Sequence, residues 1–463
     1  MSSPNRIQWD IDLIRRYDLS GPRYTSYPTA LQFDPELSAD ALIEKARQSA
    51  DKQSPLSLYV HIPFCEHVCY YCACNKVITR RRDKAQPYLD TLYREMEKLS
   101  QLYSDNRQVN QLHWGGGTPT FISDEQMREL MSALRRNFNL RDDDQGDYSI
   151  EVDPREAQDQ SLAVLREIGF NRVSLGVQDI DPKVQEAVNR IQPVEQTRRV
   201  LDTSRKLGFK SINMDLIYGL PHQTLEGFNA TLDTIIEMSP DRLSVFNYAH
   251  LPDRFRPQRH IRAEDLPSPE TKLAILQSTI ERLLDAGYVY IGMDHFAKPD
   301  DELALAQANG QLHRNFQGYT THSDCDLVAM GVSAISQIGD VYYQNEHEIS
   351  AYTQAVEDHQ HAIRRGVTLT RDDHIRRSVI TSLICHFELE QKRIEQQYGI
   401  DFSQYFQAEL EDLKQFTADG LVELGTGTIR VTPAGRLLIR RICMAFDAYI
   451  PREQATARYS RII

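Results

Sequence analysis

Four of the seven cysteines in this chain, Cys65, Cys69, Cys72 and Cys74, fall within ten residues of the stretch YVHIPFCEHVCYYCACNK. Cys325, Cys385 and Cys443 are scattered far downstream. Soft thiolates gathered in one loop are a metal-binding arrangement. Structural zinc sites bring ligands in two separated pairs, and the sequence has no second pair. Iron-sulfur clusters instead accept several thiolates from one short loop, because the irons are spread over a few ångströms. The C-x3-C-x2-C of Cys65, Cys69 and Cys72 suits three corners of one [4Fe-4S] cluster. Cys74, two positions further on, is poorly placed for the fourth iron, and an iron left open can bind a small molecule.

These thiols need a rigid platform. The preceding segment, LSLYVHIPF, is apolar and β-branched enough to be a buried strand that opens into the cysteine loop. Strand-like runs follow at residues 56–64, 109–114, 148–152, 172–178, 212–218 and 243–248, with helical spacing between them, as in Leu89, Leu92, Met96 and Leu99. Ser123 and Gln126 form a capping box where one of those helices starts. Three helix-to-strand joints repeat the same wording, IGFNRVSLGV, LGFKSINMDL and AGYVYIGMDH, each with a glycine where a helix ends. A βα repeat with near-continuous apolar strands predicts an α/β fold with a parallel sheet, curled into a partial (β/α) barrel. In such folds ligands meet the C-terminal ends of the strands. The cysteine loop, Gly115 to Gly117, Glu151, Gln178, Asp215 and Ala249 fall at or near those ends.

The pattern changes along the chain, and three domains are expected. Residues 1–50 read as a short helix, the irregular arm GPRYTSYPTA and a further helix; residues 51–361 as the barrel; residues 362–463 as a smaller, mainly helical domain with a winged-helix look. In that last part residues 370–386, 402–419 and 436–449 read as helices, with LVELGTGTIRV as a hairpin. A wing can bind DNA, but a formal net charge of −13 argues against nucleic acid and against an anionic membrane surface as the main partner. No run approaches the length of a membrane span. Clustered thiols without a secretory signal point to a reducing compartment, so a cytoplasmic location is expected.

With its spacing and its place after an apolar strand, the cysteine motif resembles the signature of the radical S-adenosylmethionine enzymes. The wider wording, GPRYTSYPTA, HIPFC with a following CxC, LHWGGGTPT, IEVDP, GVQD, DLIYGLP, NYAHLP and MGVSAIS, is similar to the oxygen-independent coproporphyrinogen III oxidase family. The similarity runs from about Trp9 to the C-terminal YSRII. One departure is Ala73, where the family's pattern has glycine; Tyr71 keeps the aromatic before the third cysteine.

The resemblance implies a site and a reaction. The open iron would chelate S-adenosylmethionine, with Tyr59, Gly116, Glu151 and Ile335 holding that molecule. Tyr71, Gly117, Thr118, Gln178, Arg190, Asp215 and Ala249 would hold a second one. One electron from a flavodoxin- or ferredoxin-type donor would generate a 5'-deoxyadenosyl radical, which removes hydrogen from a propionate of coproporphyrinogen III. Loss of carbon dioxide leaves a vinyl group, and two such events give protoporphyrinogen IX in haem biosynthesis. A monomer is expected. The substrate's four carboxylates ask for basic groups, for which Arg23, Lys76, Arg172, His313 and Arg314 are candidates, and the arm would cover the substrate. Two rival readings are a haem chaperone with the same cluster and a plain iron-sulfur electron carrier. The arm and Cys74 speak against the first, the size of the barrel and GGGTPT against the second.

Overall fold

A parallel sheet forms wherever apolar β-branched runs alternate with helices long enough to cross back over it. In the computed structural model, which describes residues 7–359 and 361–450, each of the six expected runs is a strand. These are β1 (Leu56–Ile62), β2 (Gln108–Gly116), β3 (Asp147–Val152), β4 (Arg172–Gln178), β5 (Ser211–Tyr218) and β6 (Arg242–Asn247). Four further strands, β7 (Asp326–Met330), β8 (Ile335–Ile338), β9 (Val341–Asn345) and β10 (Ile363–Thr368), extend the same sheet. The order is β6-β5-β4-β3-β2-β1-β7-β8-β9-β10, parallel from β6 to β7 and antiparallel beyond. This path is linear, so the fold is a partial barrel rather than a closed one.

The outer face is covered by crossover helices, among them α1 (Ala85–Tyr103), α2 (Asp124–Asn137), α3 (Asp159–Glu167), α4 (Val194–Lys206) and α5 (Leu225–Met238). Helix α1 buries Leu89, Leu92, Met96 and Leu99, the positions its spacing singled out, and α2 begins with the Ser123–Gln126 capping box. The inner face differs from the expectation of near-continuous apolar strands. Along β4, Val173, Leu175 and Val177 are buried while Arg172, Ser174, Gly176 and Gln178 are partly open; β5 alternates in the same way through Asn213 and Asp215. An open sheet with helices on one face keeps its concave face for polar groups, so the sequence period there is two.

The chain forms two compact units, and the boundaries differ from the three consecutive domains expected. Residues 33–279 and 324–368 make up the sheet unit. Residues 7–32, 280–323 and 369–450 make up the other. The second unit carries helices at Ile11–Tyr17, Arg371–His386, Gln391–Tyr398 and Gln407–Ala418, and the expected hairpin, Val422–Gly425 with Thr428–Val431, to which Glu388–Glu390 adds a third strand. The run expected as one helix at residues 402–419 is broken at Phe406. The final expected helix is three short pieces, Arg436–Leu438, Ile439–Cys443 and Met444–Phe446.

The arm is irregular, as its composition suggests, yet its tyrosines do not wait for a ligand. Tyr24 and Tyr27 are 4% and 2% exposed. Tyr24 donates to Asp447 Oδ2 at 2.9 Å, the Ala448 N–H donates to the Tyr27 hydroxyl at 3.0 Å, and Arg440 donates to the carbonyls of Gly21 and Pro22. The aromatic rings that suited a flat substrate by composition serve as core.

Candidate active site

The cysteine loop hangs from the C-terminal end of β1 and is tied on several sides. Phe64–Cys65 pairs in parallel with Val77–Ile78, closing the loop at its base. Beside it, the Gly117 and Thr118 N–H groups donate to Ile62 O and Phe64 O, both at 2.8 Å. A β-carbon on Gly117 would lie 2.7 Å from Phe64 O and 3.0 Å from Cys65 Sγ, so the close approach of β2 to the loop needs glycine. Across the loop, Tyr70 N–H donates to Val188 O at 3.0 Å, Asn189 Nδ2 to Val68 O at 2.8 Å and Gln258 Nε2 to Tyr71 O at 3.0 Å. The Tyr70 and Tyr71 rings pack against an apolar cluster of Val184, Val188, Leu220, Tyr248 and Ile261. The thiols are therefore presented by a loop whose middle is anchored to the barrel wall.

A cavity of about 270 Å³ opens at the strand ends. Its lining includes Cys65, Cys69, Cys72, Tyr71, Gly116, Gly117, Thr118, Glu151, Gln178, Arg190 and Asp215, eleven of the fourteen residues expected to hold the cluster and S-adenosylmethionine. Cys74 and Lys76 line it as well. Tyr59, Ala249 and Ile335 stand outside it. The Tyr59 hydroxyl lies 3.0 Å from His61 Nδ1 and its ring stacks on His113, while Ala249 follows β6 at the surface and Ile335 opens β8.

Each thiol meets a donor. Thr118 Oγ1 lies 3.6 Å from Cys65 Sγ, and Arg155 Nη2 and Arg190 Nη1 each lie 3.5 Å from Cys69 Sγ. Cys72 is hydrogen-bonded by the Cys74 thiol, which with the nearby Lys76 lowers its pKa, whereas burial pushes Cys65 up to about 12. Metal binding would override both, since a coordinating thiol is deprotonated. The spacing bears on the metal. Ligands of one ion crowd together, and among the described residues the groups of three or more His, Cys, Asp and Glu with ligand atoms all within 4.8 Å of one another are His322–Asp324–Cys325 and Glu66–His67–Glu156. The sulfurs of Cys65, Cys69 and Cys72 do not all lie that close to one another.

Two acidic stations face the cavity. Gly116 N–H donates to Glu151 Oε2 at 3.1 Å; burial pushes Glu151 up, but His113 and that N–H outweigh it and hold the carboxyl below its ordinary value. Gly116 itself sits at φ +115°, where a β-carbon would strike the His61 ring at 2.7 Å. Two strands away, Asp215 accepts from Ser174 Oγ and Asn213 Nδ2, both at 2.8 Å, and burial raises its pKa. Between them β4 bulges at Gly176 and Gln178, and Gln178 takes a left-handed φ of +69°, uncommon for a residue with a side chain.

Arg190, expected to meet a ligand carboxylate, already holds one of the chain's own: Nη1 donates to Asp153 Oδ2 at 3.0 Å and Nη2 to Gly176 O at 2.6 Å, leaving Nε free. Sequence reasoning missed Asp153 and Arg155 on this wall, although the first lies inside the quoted IEVDP and the second directly follows it. Among the basic candidates, Lys76 alone lines the cavity. Arg172 starts β4, at the opposite end of the sheet, and pairs with Asp147 at 2.6 Å. In the other unit Arg23 pairs with Asp294, Arg314 lies over the Tyr319 ring at 4.6 Å, and His313 is held near pKa 4 by burial, Arg377 and His386.

A strand-end cavity with three spaced thiols and a glycine-lined wall defines the class: residues 59–235 match the radical SAM superfamily, and residues 369–438 match the HemN C-terminal domain. An oxygen-independent coproporphyrinogen III oxidase from Pseudomonas aeruginosa is 59% identical over 99% of both chains, and the Escherichia coli protein of that name is 52% identical over 100% of both. The solved structure of coproporphyrinogen III oxidase (HemN) from Escherichia coli, described as a radical SAM enzyme, superposes with a TM-score of 0.92 at 52% identity, covering 96% of this chain and 100% of that one. The chain belongs to the oxygen-independent coproporphyrinogen III oxidase family.

Proposed function

We propose that this protein decarboxylates two propionate side chains of coproporphyrinogen III to vinyl groups, giving protoporphyrinogen IX. The observation that carries the reading is the convergence of Cys65, Cys69, Cys72, Glu151 and Asp215 on one cavity, in a chain similar from end to end to oxidases of that name. The relatives carry the name of an oxidase, so the chaperone reading is not favoured.

Cys65, Cys69 and Cys72 would hold one [4Fe-4S] cluster. Tyr59, Gly116, Glu151 and Ile335 would hold one S-adenosylmethionine, and Tyr71, Gly117, Thr118, Gln178, Arg190, Asp215 and Ala249 a second. The two acidic stations, Glu151 and Asp215, support two molecules; Tyr59, Ala249 and Ile335 would be reached as those molecules extend beyond the cavity lining. When bound, the cluster and S-adenosylmethionine supply hydrogen-atom abstraction. The chain's share is to orient and to exclude water. Glu151, kept ionised by His113 and the Gly116 N–H, accepts hydrogen bonds from amine or ribose. Asp215, pre-oriented by Ser174 and Asn213, does the same at the second station. A flavodoxin- or ferredoxin-type donor, a monomeric state and a cytoplasmic location complete the proposal; clustered thiols support the last. Among the described residues no helix is long and apolar enough to cross a membrane.

Anaerobic incubation of the reconstituted protein with reductant, S-adenosylmethionine and coproporphyrinogen III, followed by mass analysis, should show loss of two carboxyl groups from the tetrapyrrole. Cleavage of S-adenosylmethionine with unchanged tetrapyrrole would reject the substrate.

A further inference from the structure

The three thiols are not surrounded alike. Cys65 receives one hydroxyl and Cys72 a neighbouring thiol together with the single ammonium of Lys76, whereas Cys69 is approached by two guanidiniums, Arg155 Nη2 and Arg190 Nη1, each at 3.5 Å. Both arginines grip one carboxylate. Asp153 Oδ2 accepts from Arg155 Nη2 at 2.6 Å and from Arg190 Nη1 at 3.0 Å, and Arg155 Nε reaches Asp153 Oδ1 at 3.0 Å. Asp153 and Arg190 are 8% and 6% exposed. The arrangement is fixed from outside too: Gln196 Nε2 donates to the Arg155 carbonyl at 3.1 Å, and Gly176 leaves room for Arg190, since a β-carbon there would lie 2.9 Å from its Nη2.

Two cations sharing one anion leave a net positive charge, directed at a single sulfur. Buried ions interact strongly because little water screens them. Hydrogen bonds and charge at a cluster's sulfurs are among the levers that set its reduction potential. The geometry points to Asp153, Arg155 and Arg190 as a charge clamp on Cys69 that tunes how readily the cluster accepts its electron. This rests on the reading that Cys65, Cys69 and Cys72 bind that cluster. Reduction adds one electron, supplied in the test by dithionite, and therefore one negative charge close to Cys69. Arg155 and Arg190 stabilise that added charge and Asp153 opposes it, so the two signs of residue act in opposite directions.

The test is a redox titration of the reconstituted full-length protein, without S-adenosylmethionine or substrate, read by the electron paramagnetic resonance signal of the reduced cluster. Arg155→Gln should make reduction harder, lowering the reduced-to-oxidised ratio at a fixed poise by about tenfold, which is a shift of about 59 mV for one electron. Asp153→Asn should make it easier, and Arg155→Lys, which keeps the charge, should shift it less than Arg155→Gln. A wild-type potential in Arg155→Gln at full iron and sulfide content overturns the proposal, and so does a shift of the same sign in Arg155→Gln and Asp153→Asn. Failure of all three variants to hold iron also overturns it, because the residues would then build the site rather than tune it. A wild-type protein that takes up no cluster would instead strike down the ligand assignment.

Discussion

At the scale of single residues, the division of labour among the four clustered cysteines can be tested directly. Cys65→Ser, Cys69→Ser and Cys72→Ser should each abolish cluster uptake, while Cys74→Ser, whose thiol only hydrogen-bonds Cys72, should retain it; iron and sulfide analysis decides. Glu151→Ala removes a carboxylate facing the cavity and strands the Gly116 N–H. Loss of a charge-assisted hydrogen bond should weaken S-adenosylmethionine binding by about 1.5–3 kcal/mol with the cluster intact, measured by anaerobic equilibrium dialysis. His313 makes a pH prediction away from the cavity. Its folded pKa of about 4 lies below the ordinary value of about 6.5, so the unfolded chain takes up a proton first as pH falls. Its contribution to stability is complete above about pH 6.5 and is lost on the way down to about pH 4, on the order of 2–3 kcal/mol. His313→Gln should flatten that slope in urea titrations at pH 7 and pH 5. The thiols were legible in sequence because cysteine is rare and their spacing is regular, and Glu151 because it lies near the end of a strand-like run inside a motif that resembles the family's. Asp153 and Arg155 were not, because an Asp-Pro-Arg after a strand reads as an ordinary turn until Cys69 is seen beside it.

At the scale of elements, the cysteine loop depends on ties from distant segments. Asn189 and Gln258 each donate to a carbonyl inside the loop, at 2.8 and 3.0 Å. Asn189→Ala and Gln258→Ala should each cost about 1 kcal/mol of stability, and their clearer effect should be faster iron loss to a chelator in stopped-flow measurements. A variant with wild-type iron retention would show that the Phe64–Cys65 pairing with Val77–Ile78 is enough to hold the loop. All six strand runs and the α2 capping box were readable from periodicity and end signals. Breaks inside the late helical runs were not, because Phe406 and the residues after Leu438 are as apolar and helix-compatible as their neighbours, and tertiary packing overrides such weak preferences.

At the scale of the molecule, residues 7–32 belong to the core of the unit that also contains residues 369–450. Deleting residues 1–30 removes the buried Tyr24 and Tyr27, and loss of buried aromatics of this size costs about 3–5 kcal/mol each. The melting temperature should fall sharply. Cluster uptake should persist, since every residue lining the cavity lies between 65 and 246; loss of iron alongside the lower melting temperature would show that the sheet unit needs its partner. Local patterns report on elements but not on which distant elements share a core, so this grouping could not be read from composition. It carries a consequence for how the polypeptide is made. Tyr24 and Tyr27 leave the ribosome hundreds of residues before Arg440 and Asp447 exist, a delay of roughly 20–80 s at ordinary rates of translation. A segment synthesised early is therefore among the last to find its place, and until then its aromatic side chains are open to chaperones and proteases, while the sheet unit can assemble once residue 368 has emerged.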